Sequence, residues 1–432
     1  MPTWTEDHLR SAVTDAATLK RGVDLASPSK WNNLGLSPRA VWGECQGSGT
    51  KPYQVIIDRS GPAFKCSCPS RTFPCKHGAG LMVLAMRDSA LISEATEPEW
   101  VNTWLTKRDA KETAKAEPIA TKAPADPEAQ AKREAQRVKR MAEGLYELER
   151  WLIDVARTGL ATLQAQPLAT WEAQAARLVD AQLPGLANRL HEMWPMRGER
   201  TGELRDALGE LYLLVIAAKR SPELPPEFAA EVQQQLGVTV RKEDVLKEST
   251  PVNDQWWVLG QLITEEDRLT QRRTWLYGLR GERYALLLDH AFGSQGFTST
   301  YITNAVYEGG LHFYPGPFPL RAFALELHLR PEVSPVARPS FPPMAELERV
   351  SEWISANPWA RSFPIWISDV VPTVHKDRWY LRHASGLLPM RCSDVEGWSL
   401  TAQSGGTPMN IFGEWNGRAL LPVRATLENA AS

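Results

Sequence analysis

The chain has 432 residues, with 49 Lys and Arg against 51 Asp and Glu and a formal net charge of −2 at pH 7. Hydrophobic residues make up 43% and charged residues 23%, ordinary proportions for a globular protein. This balance excludes a polycation that holds nucleic acid by bulk charge, so any such contact needs a local patch.

At about 150 residues per domain, the length suggests about three domains. No stretch approaches the ~20 apolar residues that span a bilayer. The opening MPTWTEDHLR is polar and acidic where a signal peptide needs a basic start and an apolar core. The expectation is a cytoplasmic protein. Five cysteines are too few for a disulfide framework, and three of them crowd between positions 66 and 75. In a reducing compartment that pattern reads as metal binding.

Residues 1–95 read as one unit. Residues 5–20 have the look of a short helix, and Trp42, Tyr53, Val55 and Ile57 lie in stretches that read as strands. A turn-rich segment, 46–52, separates them, and the apolar run 79–86 reads as a helix. Residues 96–137 are expected to be a linker, since from 106 onward Ala, Lys, Glu and Pro leave almost nothing to bury.

Residues 138–247 read as a helical domain. Val138, Met141, Leu145, Leu148, Leu152 and Val155 recur at spacings of three and four, which places them on one helical face. Leu204, Leu208, Leu211, Tyr212 and Val215 repeat the pattern, as do Phe228, Val232 and Leu236. Gly237 then suits a helix end. Residues 248–432 read as a β-rich domain with one helix. Segments 255–263, 273–279, 283–289 and 322–329 are strands, 346–356 is the helix, and short strands run to the end. No repeat of 20–50 residues is evident.

The densest chemistry reads Phe64-Lys-Cys-Ser-Cys-Pro-Ser-Arg-Thr-Phe-Pro-Cys-Lys-His-Gly. Three thiolates and an imidazole form a common closed set for tetrahedral zinc. Cys66 and Cys68 are two apart, so an extended chain sends both side chains the same way. A loop bounded by Pro69 and Pro74 can return to the metal. Cys75 and His77 are again two apart, just before the apolar helix. The readings set against this are a chance group of buried cysteines and a redox dithiol at Cys66 and Cys68, which would leave Cys75 and His77 without a role.

The C-x-C then C-x-H spacing, with Trp42-Gly-Glu-Cys-Gln-Gly-Ser-Gly and Pro52-Tyr-Gln-Val before it and His77-Gly-Ala-Gly-Leu-Met after it, resembles the SWIM zinc-finger domain proteins of bacteria. The resemblance covers about residues 40–87. It implies one structural Zn²⁺ per chain, held by Cys66, Cys68, Cys75 and His77. The expected fold is α+β: a small zinc-stabilised ββα-type N-terminal domain, the linker, the helical region and the mainly β C-terminal region.

SWIM domains are thought to bind DNA or proteins, and their bacterial members often stand beside genes for MoxR-type ATPases and von Willebrand A-domain proteins. The resemblance therefore implies a partner-binding adaptor in such an assembly. The alternative is DNA binding. Residues 1–90 hold 11 basic against 7 acidic side chains, and Lys65, Arg71 and Lys76 flank the metal motif. A second basic cluster, Lys132, Arg133, Arg137, Lys139 and Arg140, could touch phosphates or simply be a solvated helix start, the reading preferred here.

Nothing else rises to a site. Trp256, Trp257, Trp353, Trp359 and Trp366 read as packing before they read as a groove. A helix-turn-helix over 228–246 would have a short, acidic second helix. Asp289-His290 beside a turn is an ordinary structural pair. Phosphate-loop, dinucleotide and H-E-x-x-H motifs are absent. The expectation is that the chain is not an enzyme and has no small-molecule or membrane partner.

Overall fold

The computed structural model describes residues 4, 9, 12–13, 16–46, 51–59, 63–70, 74–87, 92–116, 127–266, 269–292, 297, 299–333 and 341–427; for 110–116, 127, 130, 199 and 266 it describes the backbone alone. The architecture is α+β. No described helix is long and apolar enough to cross a membrane.

The N-terminal module is a four-stranded antiparallel meander, β1 (Trp31–Leu36), β2 (Ala40–Cys45), β3 (Tyr53–Asp58) and β4 (Ala63–Cys66), paired in chain order. Strand alternation gives it two apolar faces. Val41, Val55, Ile57 and Phe64 meet α1 (Ala16–Leu25) and α2 (Lys76–Arg87), whereas Ala40, Trp42 and Ile56 meet α3 (Glu99–Ala116). The helices α1 and α2 approach closely because small residues line their contact. A Cβ added to Gly22 would stand 2.6 Å from the Cβ of Ala79. Most of the helix expected over 5–20 lies outside the described residues. The described helix α1 starts at Ala16 and runs five residues past Lys20.

Helix α3 corrects the linker expectation. Trp100, Val101, Trp104 and Leu105 fall at helical spacing ahead of the Ala/Lys run, and they pack on the sheet. Fully buried Asp58 then takes Arg39 and Arg108, each at 3.1 Å, and Arg39 reaches Asp109 at 2.6 Å. A buried carboxylate is tolerable only with such partners. Residues 99–109 therefore belong to the module.

The helical region comprises α4 (Pro127–Thr158), α5 (Leu160–Gln164), α6 (Leu168–Asp180), α7 (Pro184–Met193), α8 (Thr201–Lys219) and α9 (Pro226–Leu236). Met141, Leu145, Leu148, Leu152 and Val155 of α4 share one core with Leu178, Leu190, Leu204, Leu211 and Leu236. Val138 sits one turn too early to join them and is 57% exposed. Tyr212 likewise stays outside that core, 36% exposed. Helix α9 ends at Gly237 with φ 93°, the left-handed conformation glycine accepts at least cost.

After α10 (Lys242–Glu248), β5 (Val252–Glu266), β6 (Leu269–Gly278), β7 (Tyr284–Phe292), β8 (Val306–Phe313) and β9 (Arg321–Leu329) close into a barrel in the order β5-β6-β7-β9-β8. The β7–β9 pair alone is parallel. Trp256, Val258, Leu276, Leu287, Ile302 and Tyr307 fill its core. Helix α11 (Pro343–Ala356) leads to a second sheet of β10 (Phe363–His375), β11 (Arg378–His383), β12 (Gly386–Pro389), β13 (Met409–Trp415) and β14 (Leu420–Leu427), in the order β12-β11-β10-β13-β14. Helix α12 (Asp394–Ser404) interrupts it in sequence, opened by a capping box of Ser393 and Glu396.

Barrel and sheet share an aromatic seam of Trp257, Trp275, Tyr277, Tyr284, Trp366 and Phe412. At its centre Glu414, 3% exposed, accepts the Trp275 indole N–H at 2.8 Å and the Ser362 hydroxyl at 3.0 Å, and pairs with Arg273 at 3.1 Å.

Candidate metal centre

The four candidate ligands come from both sides of one loop. Cys66 is the last residue of β4 and follows Phe64 onto the α2 face of the sheet. The chain then stays tied to β3, because the Ser67 N–H donates to the Gln54 carbonyl at 3.0 Å and the Gln54 N–H donates to Ser67 Oγ at 2.9 Å. Cys68 follows two residues later. Cys75 stands just before α2, its carbonyl accepting the Ala79 N–H at 3.0 Å, and His77 is the second residue of that helix.

The ligand atoms of Cys66, Cys68, Cys75 and His77 all lie within 4.8 Å of one another. His77 Nδ1 is 3.7 Å from Cys66 Sγ and 3.8 Å from Cys75 Sγ. A tetrahedral zinc with bonds of ~2.3 Å to sulfur and ~2.0 Å to nitrogen separates its ligand atoms by about 3.5–3.8 Å. The donors thus stand near the spacing such an ion needs. Their chemistry also fits, since thiolates and imidazole together favour zinc over the hard, oxygen-seeking cations. Cys75 and His77 are buried, Cys66 and Cys68 half-buried. The Tyr53 ring walls one side, 4.9 Å from the His77 ring.

Within the cluster the protons are shared unequally. The Cys75 thiol is pulled down to about 3, first by a hydrogen bond from Cys66, then by His77 and the Gly78 backbone N–H, against the cost of burial. Cys66 is pushed up because it serves Cys75 and is buried, and Cys68 is pushed up chiefly by burial. A metal would displace the protons that the cysteines keep. Cys45, buried on β2, stays outside the cluster, its thiol raised by burial.

The basic residues around the motif are spread rather than gathered. Lys65 pairs with Ile56 on the α3 face of the sheet, opposite Cys66; burial and Lys107 lower its pKa. Lys76 opens α2 and, with Lys30, lies near Cys45. Lys65 and Lys76 are exposed on different faces, and Arg71 lies outside the described residues. The fold adds Lys107 and Lys30 as neighbours, which no local spacing announces. Asp289 and His290 separate as successive strand residues do: Asp289 binds Arg272 at 2.7 Å, and His290 meets Gln271 at 3.0 Å.

Residues 228–246 do not form a free helix-turn-helix. Val232 and Leu236 of α9 are buried in the helical core, and Val245 of α10 packs on Tyr314 and Phe323 of the barrel region.

No curated protein and no solved structure matches the chain. Residues 136–236 match the family model of the SWIM-associated four-helix bundle domain, which points to a SWIM-related family; the zinc-finger segment lies outside that match.

Proposed function

We propose that the chain is a zinc-binding, non-catalytic adaptor whose N-terminal SWIM-type module recognises a protein partner. The observation that carries this reading is the donor set itself. Four protein ligands converge on one point, which leaves a tetrahedral ion no open position for a catalytic water. The zinc then acts as a clasp that joins β4 to α2. The SWIM-associated bundle match supports the same reading, because it ties the helical region to that class of module. The partner assembly we favour contains a MoxR-type ATPase and a von Willebrand A-domain protein.

The test is capture from native cells with the tagged chain and with a Cys66→Ala/Cys68→Ala variant. A protein retained by the parent and lost from the variant is expected. Retention of nothing, or equal retention by both, would overturn the reading.

A second reading is DNA binding by the module. It is favoured by exposed Lys65 and Lys76, each adjacent in sequence to candidate ligands, with Lys107 close to Lys65. Duplex affinity should then fall steeply with salt and weaken in a Lys65→Gln/Lys76→Gln variant. Affinity indifferent to salt would sink it.

A further inference from the structure

Helix α4 is longer than its bundle requires. It has 32 residues, yet its buried stripe begins only at Met141. Residues 127–140 project for about 21 Å at 1.5 Å per residue. From Ala131 to Arg140 every side chain is exposed save the half-buried Arg137. Lys132, Arg133, Arg137, Lys139 and Arg140 face only Glu128 and Glu134 in this stretch, an excess of +3.

Their placement is ordered. At about 100° per residue, Lys132 and Lys139 fall on one line, about 20° apart. Arg133, Arg137 and Arg140 fall on a second line, about 80–140° round the helix from Lys132. Gln136 lies between the two rows. Met141, Leu145 and Leu148, at about 160–220°, face away into the bundle.

This arrangement works against the helix alone. Arg133 repels Arg137 four residues on, and Arg137 repels Arg140 three residues on. The relief within the described residues is slight: Arg137 stands 3.6 Å from Glu134 and Lys139 3.9 Å from Glu143, both along the same helix. Lys132, Arg133 and Arg140 make no ion pair among the described residues. A polyanion would turn each of these costs into an attraction.

We infer that residues 127–140 form a basic arm that lies in the major groove of duplex DNA. The groove, about 12 Å wide, admits one α-helix. The two rows of cations then meet the phosphates of opposite strands, and Gln136 faces the base edges. An acidic protein surface would need one row, not two rows flanking an uncharged amide. The inference goes beyond the adaptor reading and does not rest on it, because the arm is remote in sequence from the zinc ligands.

The test is fluorescence anisotropy of a labelled 20-base-pair DNA duplex with the full chain. Each neutralised phosphate contributes about −0.9 to the slope of log affinity on log salt, so five cations give up to about −4.5. Replacing all five with Gln should lower affinity at least tenfold at low salt and flatten the slope. Circular dichroism should show the helix retained, since repulsion has been removed. Gln136→Ala should keep the slope and lose discrimination between duplex sequences. Lys65→Gln/Lys76→Gln tells the arm from the zinc module: affinity within twofold of the parent is expected of the arm, and a loss matching that of the five-Gln variant overturns the proposal in favour of the module. Unchanged affinity in the five-Gln variant overturns the proposal. So does competition by polyglutamate as effective as by unlabelled duplex, which would assign the arm to an acidic protein. Retention of no partner by the parent chain, with duplex binding intact, would fail the adaptor reading alone.

Discussion

The N-terminal module and the barrel–sheet pair both hold strands against other elements, but over different ranges of chain. In the module the candidate ligands all fall between positions 66 and 77. At the seam, the Trp275 indole and the Glu414 carboxylate meet across 139 residues. With a metal bound, the first arrangement would concentrate stability at one ion. The second spreads it over buried aromatic rings and one satisfied carboxylate. A module of the first kind responds to metal supply and acidity, whereas one of the second kind responds to volume and shape.

Metal removal should give the largest effect. Structural zinc contributes about 10 kcal/mol or more to folding, so chelation, or Cys66→Ala with Cys68→Ala, should unfold the module. Hydrogen exchange should show protection lost in β1–β4 and retained in the bundle, barrel and second sheet. Loss throughout would break the comparison, because the parts would then not be separable. Metal content of the purified chain should be one zinc, released as pH falls and the cysteine ligands regain protons.

Trp275→Ala comes next. Removing a fully buried tryptophan costs about 3–5 kcal/mol and here also strips Glu414 of a donor. Calorimetry should show the barrel and the second sheet melting earlier together while the module's transition stays in place. Glu414→Gln should follow at about 3 kcal/mol, since Arg273 would face an uncharged amide at 3.1 Å.

The smallest effect should be at α12. Ser393→Ala removes an N-cap worth about 1 kcal/mol. The backbone N–H of Ser393, and then its hydroxyl, hold the Glu396 carboxyl below its ordinary value. A carboxylate whose folded pKa is depressed stabilises fully above the unfolded value of about 4.3, and the benefit is lost as pH falls through the folded value. The melting difference between parent and Ser393→Ala should therefore shrink as the solution is acidified below that range. A constant difference down to pH ~2 would detach Glu396 from the cap.

The same contrast explains what the sequence disclosed. The cluster of Cys66, Cys68, Cys75 and His77 was legible because its spacing is local, and the α4 and α8 stripes because helical periodicity is local too. Strand β8 was missed. Its Gly309-Gly310 breaks the alternation, and Gly309 sits at a register shift with φ 155°, where a Cβ would stand 2.6 Å from the Glu326 carbonyl oxygen. Closure of the barrel by β5 and β8 is a long-range event that no window of residues reports. The four-residue stretch β4 and the bulged β1 were too irregular to stand out. Helix α12 did carry a local sign, Ser393 followed three residues later by Glu396, and it was overlooked. The tryptophans mostly went inside as packing residues. Trp256, Trp257 and Trp366 are buried, whereas Trp398 on α12 is 60% exposed.

Closing the barrel also bears on how copies of this chain meet one another. Barrel closure pairs most of its strands on both sides, although β7 and β9 meet only at Leu286–Arg321 and Leu287–Ala322; the outer rims among the described residues are those of the two open sheets. Each rim is poorly suited to recruiting a neighbour's strand. Strand β12 is four residues long and ends in Pro389, and β14 carries Pro422, which has no N–H to give. Strand β4 is equally short, and β1 slips register between Asn32 and Gly35, with Asn33 at φ 51°. The molecule is thus guarded against sheet-to-sheet stacking at high concentration, and a variant that lengthened or straightened one rim would be the one to watch for fibrous aggregates.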